Sequence, residues 1–170
     1  PQKVGVELGS CPLVSRVGDY VWFDTNANGL QDDGQTGVNG VYAELFEVGS
    51  DGIARTADDV PVSSTATQND SGGNPGWYHF PSLDPGTYFV CFTPPANRVG
   101  TLPNVGADDA IDSDVDPLTQ CTAPVVLGPN QDIPTLDYGL VQTAALGNYV
   151  WFDRNSNGQQ DESPDAGANG

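Results

Sequence analysis

The chain writes one motif twice, a whole domain's length apart, and this repetition limits its architecture more than any other feature. Val17 to Asp33 reads VGDYVWFDTNANGLQDD, and Leu146 to Glu162 reads LGNYVWFDRNSNGQQDE. Gly18 maps to Gly147, Trp22 to Trp151, Asp24 to Asp153 and Gly29 to Gly158, a constant offset of 129 residues. One inserted residue later, VNG at Val38 to Gly40 aligns with ANG at Ala168 to Gly170. Solenoid repeats have periods of about 20–50 residues; this period is the size of an independent domain. The expected organisation is an N-terminal strand or linker over 1–16, a complete unit over 17–141, and a linker with the start of a second unit over 142–170. The stretch KVGVELGS (Lys3 to Ser10) is similar to the closing IPTLDYGL. Residues 1–16 are therefore either the end of a preceding unit or a strand that pairs with a neighbour. With no Met, Pro1 is not a translation start, and the chain is read as processed or excerpted.

Between the copies, short apolar runs alternate with turn residues, as an all-β sandwich requires. In GVYAELFEV, Val41, Ala43 and Leu45 fall on one face and Tyr42, Glu44 and Phe46 on the other. In GTYFVCF, Tyr88, Val90 and Phe92 share the expected core face, with Phe89 and Cys91 opposite. WYHF brings Tyr78 and Phe80 together, and TAPVVLG and PTLDYGL read as the last two strands. The 21 Gly and 14 Pro argue against long helices.

The formal charge is −18, from 23 acidic residues against five Lys or Arg. Nucleic acid and anionic lipid are poor partners for such a surface. No apolar run approaches the roughly 18 residues of a membrane helix. Nineteen of the acids are Asp, a turn residue and a short-armed oxygen ligand. They are interspersed with Tyr, Phe, Trp, Val and Leu, which sets the chain apart from a disordered acidic tail.

The repeated loop carries oxygen ligands at the spacing of a 12-residue calcium loop. Asp24, Asn26 and Asn28 fill positions 1, 3 and 5, Gly29 is the turn residue, Leu30 offers its carbonyl at 7, and Asp32 stands at 9. Position 12 departs from that pattern. It is Gln35 here and Pro164 in the second copy, so Asp33 or Glu162 at position 10 is the candidate substitute. Asp153, Asn155, Asn157 and Asp161 repeat the set. The competing reading is an Asx-rich turn without metal.

Four stretches in order, GDYVWFDTNANGLQDDGQTGVNGVYAELFE, GWYHFPSLDPGTYFVCFTPP, GADDAIDSDVD and TLDYGL, resemble the SdrD-type B repeat. That family is a Ca²⁺-binding β-sandwich module of bacterial surface adhesins, related to Cna B-type domains. The resemblance covers roughly Val17 to Leu140 and resumes at Leu146. It implies an immunoglobulin-like or prealbumin-like sandwich, an extracellular or cell-surface location, and two or three Ca²⁺ per complete unit. It also implies that GADDAIDSDVD holds calcium, with Asp112, Asp114, Asp116 and Asp108 as candidates; the other reading is a solvated loop. For Asp51, Asp58 and Asp59 in GSDGIARTADDV, a metal role and a plain hairpin tip both stand.

Cys91 and Cys121 lie on strand-like stretches that can run side by side, and an extracellular domain would oxidise them to a disulfide. Cys11 is left over. Some Cna B-type relatives form a Lys–Asn isopeptide bond, but the only Lys is Lys3, outside the complete unit. Lone His79 has no nucleophile motif beside it, and the loop-borne acids are expected to lack an apolar pocket that would raise one pKa as a glycosidase needs. The function expected is a non-enzymatic, calcium-rigidified spacer, stalk or filament unit. The partners expected are adjacent repeats or neighbouring copies, with strand addition as one means of joining. The alternative is an adhesin module that binds a host protein, matrix or glycan.

Overall fold

The computed structural model describes residues 15–144, 150–159 and 161. Lys3, Cys11, Glu162 and Pro164 lie outside the described residues, as does KVGVELGS with its expected pairing. The described residues contain strands and turns and no helix.

Twelve strands follow in order: β1 (Arg16–Val17), β2 (Val21–Phe23), β3 (Tyr42–Glu47), β4 (Val60–Ala66), β5 (Phe80–Pro81), β6 (Gly86–Thr93), β7 (Arg98–Gly100), β8 (Val115–Asp116), β9 (Cys121–Thr122), β10 (Val125–Leu127), β11 (Asp132–Ile133) and β12 (Tyr138–Gln142). The large sheet has the order β4-β3-β6-β9-β8, with β10 also on β6. Two small sheets, β11-β1-β5 and β2-β12-β7, supply the other side of the sandwich. Val41, Ala43 and Leu45 alternate inward, as do Tyr88, Val90 and Phe92, and all six are buried. They meet Val17, Val21, Phe80, Val115, Leu127, Tyr138 and Leu140 in one apolar core. Edge-on contacts join Tyr78 to Phe92 at 5.3 Å between ring centroids, and Phe92 lies 4.8 Å from Tyr138. The Tyr78 hydroxyl, deep in this core, donates to Leu136 O at 2.6 Å, so its polar atom is satisfied where no water reaches.

Phe89 lies on the face opposite this core, yet it is only 2 % exposed. It stacks on Phe46 at 5.2 Å, so β6 is covered on both sides where simple alternation implies one wet face. Cys91 pairs with Cys121 across β6 and β9, and the two are disulfide-bonded.

Two parallel pairings set the direction of the molecule. β1 runs parallel to β11, and β2 runs parallel to β12 with Tyr138 opposite Val21 and Leu140 opposite Phe23. The described chain therefore enters this strand path at Arg16 and leaves it past Gln142 at the opposite end. The oxygen-rich loop that follows Phe23 sits at the exit end.

Candidate metal centre

Asp24 follows β2 directly, and Asp24 N donates to Leu140 O at 2.9 Å, which fixes the loop's first residue to β12. The Asp24 carboxylate is 3 % exposed. It accepts from Asn28 N at 3.2 Å, Gly29 N at 2.8 Å and the Thr101 hydroxyl at 2.5 Å. Asn26 Oδ1 accepts from Asn28 N at 3.0 Å, and Asn28 Oδ1 accepts from Leu30 N at 2.8 Å. Ala27 and Gly29 take positive φ values of 58° and 82°. At Gly29 a Cβ would lie 2.6 Å from Leu102 O, so glycine is required on both counts. The loop closes on Asp32, whose carboxylate accepts from the Asn26 and Asn28 side-chain amides at 3.2 and 3.0 Å. Those amides offset part of its charge, and a hard cation would take over that role. Both Asn oxygens keep a second lone pair for it.

The second copy builds the same loop. Asp153 accepts from Asn157 N at 3.2 Å and Gly158 N at 2.8 Å. Asp161 accepts from the Asn155 and Asn157 amides at 3.2 and 2.9 Å. Ser156 and Gly158 repeat the positive φ values. Local sequence alone therefore specifies this turn. Its flanks differ: Val150 and Phe152 are exposed, where Val21 is fully buried and Phe23 partly so.

Four expected ligands, Leu30, Asp33, Asp108 and Asp116, already accept hydrogen bonds of their own. Asp33 accepts from Thr25 N at 2.9 Å and from the Thr25 hydroxyl, tying the loop's two ends together. Gln35, at the departing position 12, donates to Asn74 Oδ1 at 3.2 Å. The Leu30 carbonyl accepts from Asp32 N at 2.9 Å. Asp116 caps the turn to β9 by accepting from Leu118 N at 2.7 Å, and Asp108 accepts from Ala110 N at 3.3 Å.

The acidic segment instead gathers Asp109, Asp112 and Asp114, with one carboxylate oxygen of each within 4.8 Å of the others. Leu30 and Asp112 form an antiparallel bridge. Gln31 N donates to Ile111 O at 2.7 Å, and Ser113 N to Gly29 O at 3.3 Å. The segment is thus knitted to the repeated loop. Asp112 is 4 % exposed and its Oδ1 is buried without a partner. A buried unpaired carboxylate oxygen among like charges is costly, and an oxygen-binding cation would satisfy it. The all-oxygen set fits Ca²⁺ or another hard cation and does not suit softer metals.

Burial, with the charges of Asp109 and Asp108, raises the Asp112 pKa. Asp114 is pushed to about 7, first by burial and then by Asp109 and Asp112. It lines a cleft of about 300 Å³ with Arg55, Asn104 and Asp116. Burial and neighbouring acids, rather than an apolar pocket, raise these two carboxyls. Close-set acids shut away from water achieve what an apolar pocket would.

Two further acids belong to this neighbourhood. Asp137 is fully buried; its N donates to Asp114 Oδ2 at 2.6 Å, and its Oδ1 accepts from Tyr20 N at 3.1 Å. Burial, then Asp19, pushes it to about 9, and Asp19 itself rises to about 6. Asp137 lies between buried Leu136 and Tyr138 in TLDYGL, and an acid inside an apolar strand run was the available signal. By contrast, Asp58 and Asp59 are taken up by the hairpin: Asp58 accepts from Ser50, Asp51 N and Thr56, and Asp59 from Gly49 N and Thr56 N. The hairpin-tip reading accounts for them.

The profile described as SdrD B-like domain matches residues 15–140. Among curated proteins, the chain is similar to "Serine-aspartate repeat-containing protein C" of Staphylococcus aureus strains Newman and USA300, each 41% identical over 149 residues. The protein of that name in strain N315 is 40% identical over 149 residues. Each match covers 86% of this chain and 14% of the relative, so the chain spans a small part of the relatives it matches.

Proposed function

The chain belongs to the SdrD B-like domain family, and from that membership we propose that it is a non-enzymatic, extracellular structural module, a calcium-stiffened spacer in a tandem array. The observation that carries the proposal is Asp112. Its orphaned, buried oxygen sits in a trio of acids that backbone pairing joins to the repeated loop. Asp24, Asn26, Asn28 and Asp32 would hold one ion, and Asp109, Asp112 and Asp114 would hold a second. The ions supply charge neutralisation; the chain supplies the frame. Asp24 is bound to β12 and Thr101, and Asp114 to Asp137, so the ion loops are anchored to the closing strands of the sandwich. Entry and exit at opposite ends suit a unit joined head to tail, and a bacterial cell surface is the setting the family implies.

Native mass spectrometry with a calcium titration tests this. Two ions per complete unit are expected at millimolar calcium, with Asp112→Asn losing one. A protein that takes up none under those conditions overturns the proposal. The second reading, a ligand-binding module, is favoured by edge strand β4, where Val60 and Val62 are exposed. Hydrogen exchange along β4 that stays unchanged on adding matrix proteins would set it aside.

A further inference from the structure

The exit end of the sandwich carries a cleft of about 250 Å³ lined by Phe23, Asp24, Thr25, Arg98, Leu140 and Gln142. Arg98 lies over the Phe23 ring at 4.4 Å and donates to Gln142 Oε1 at 3.3 Å. The chain leaves beside it and is held once more: Thr143 N donates to Asn97 O at 3.1 Å, and the Thr143 hydroxyl to the same oxygen at 3.3 Å. The 129-residue offset then makes position 145 the counterpart of Arg16, where β1 begins. Only Ala144 stands between the last tie of one unit and the residue that repeats Arg16 in sequence, a span of at most about 7 Å. A free linker cannot fit in that distance.

We infer that this cleft is the seat of the following repeat, which abuts the Phe23–Arg98–Gln142 face directly. The inference rests on the tandem-spacer reading above. Charge favours this occupant. A repeat of this composition is strongly acidic, and Arg98 is one of only five Lys or Arg in the chain. Asp24 is both a wall of the cleft and the first residue of the ion loop, so the seat and the proposed calcium site share a side chain. An ion bound there would stiffen the joint as well as the unit.

The test uses the full chain with residues 16–144 duplicated in place, which sets two complete units in the natural register. With Cys11→Ser, spin labels go at Val99→Cys of the first unit and Ser64→Cys of the second, and their separation is read by pulsed electron resonance in calcium. One narrow distance peak is expected, and Arg98→Glu is expected to abolish it while both units still melt cooperatively. A broad distribution in the parent, or a narrow one that Arg98→Glu leaves intact, overturns the seat. If calcium raises the melting of both units and the distribution is broad, the spacer reading stands and the seat falls. If calcium leaves the melting unchanged, the spacer reading falls whatever the width.

Discussion

Calcium removal should lower the melting temperature by about 10 °C. Extracellular modules bind Ca²⁺ with Kd values around 10⁻⁴ to 10⁻³ M. At about ten times Kd, each ion stabilises the native state by about 1.4 kcal/mol. The structure groups the ligands into two positions, the loop from Asp24 to Asp32 and the trio Asp109, Asp112 and Asp114, so the total is about 2.8 kcal/mol. A domain of roughly 130 residues unfolds with an entropy near 0.27 kcal/mol/K, and the quotient is about 10 °C. Scanning calorimetry in 10 mM calcium, then in excess EDTA, reads this directly. Asp112→Asn is the control. It keeps the side chain's shape and removes a charge that Asp108 and Asp109 oppose, so the variant should melt higher than the parent in EDTA. Its calcium response should shrink to about 5 °C, since one position remains. A melt that EDTA leaves in place refutes the reasoning, as does an Asp112→Asn response equal to the parent's.

Three other outcomes follow from the geometry. In EDTA, stability should fall between pH 5 and pH 8. Asp114 at about 7 and Asp19 at about 6 are raised above ordinary carboxylates, so the native state binds more protons there and their contribution is lost as pH rises through those values; melting that rises over this range contradicts the assignment, and saturating calcium should flatten the slope. Thr101→Val removes the hydroxyl held by Asp24, with an expected loss of about 1–3 kcal/mol in denaturant unfolding and weaker calcium uptake, while Thr101→Ser retains both. Reducing the Cys91–Cys121 bond, which closes a separation of 30 residues, should cost about 3.5 kcal/mol in the chain-entropy treatment, read as a shift of the urea midpoint with and without reductant.

Much of the fold was legible because a period of two leaves a strong trace. Val41, Ala43 and Leu45, and Tyr88, Val90 and Phe92, announced their buried face by alternation alone. Strand β4 left no such trace. VPVSSTA is exposed along almost its whole length, and it is a strand because β3 offers it an edge. Propensity and pattern cannot report a partner that lies elsewhere in the chain.

The site divides along the same line. The oxygen-rich loop was readable because its determinants are local: Asx side chains bond backbone two to five residues on, and Gly29 supplies a positive φ at a point where a Cβ would not fit. The two copies, in different surroundings, adopt one geometry. The acidic segment was readable as an excess of charge but not as an arrangement. Five Asp stand within nine residues, and spacing gives no reason to prefer Asp109 over Asp116. The choice is made by tertiary contacts, since Asp116 is drawn into the turn toward β9 and Asp112 is bridged to Leu30. Asp137 and Thr101 come from just before β12 and just past β7, far from the loop in sequence, and they decide how firmly Asp114 and Asp24 are held. Local sequence thus shapes the loop, and the closed sandwich fixes where that loop stands. Ion affinity should therefore depend on residues such as Thr101 that carry no ligand themselves. If Thr101→Val and Thr101→Ser bound calcium equally, the loop would be self-sufficient and its attachment to the sandwich irrelevant to the ion.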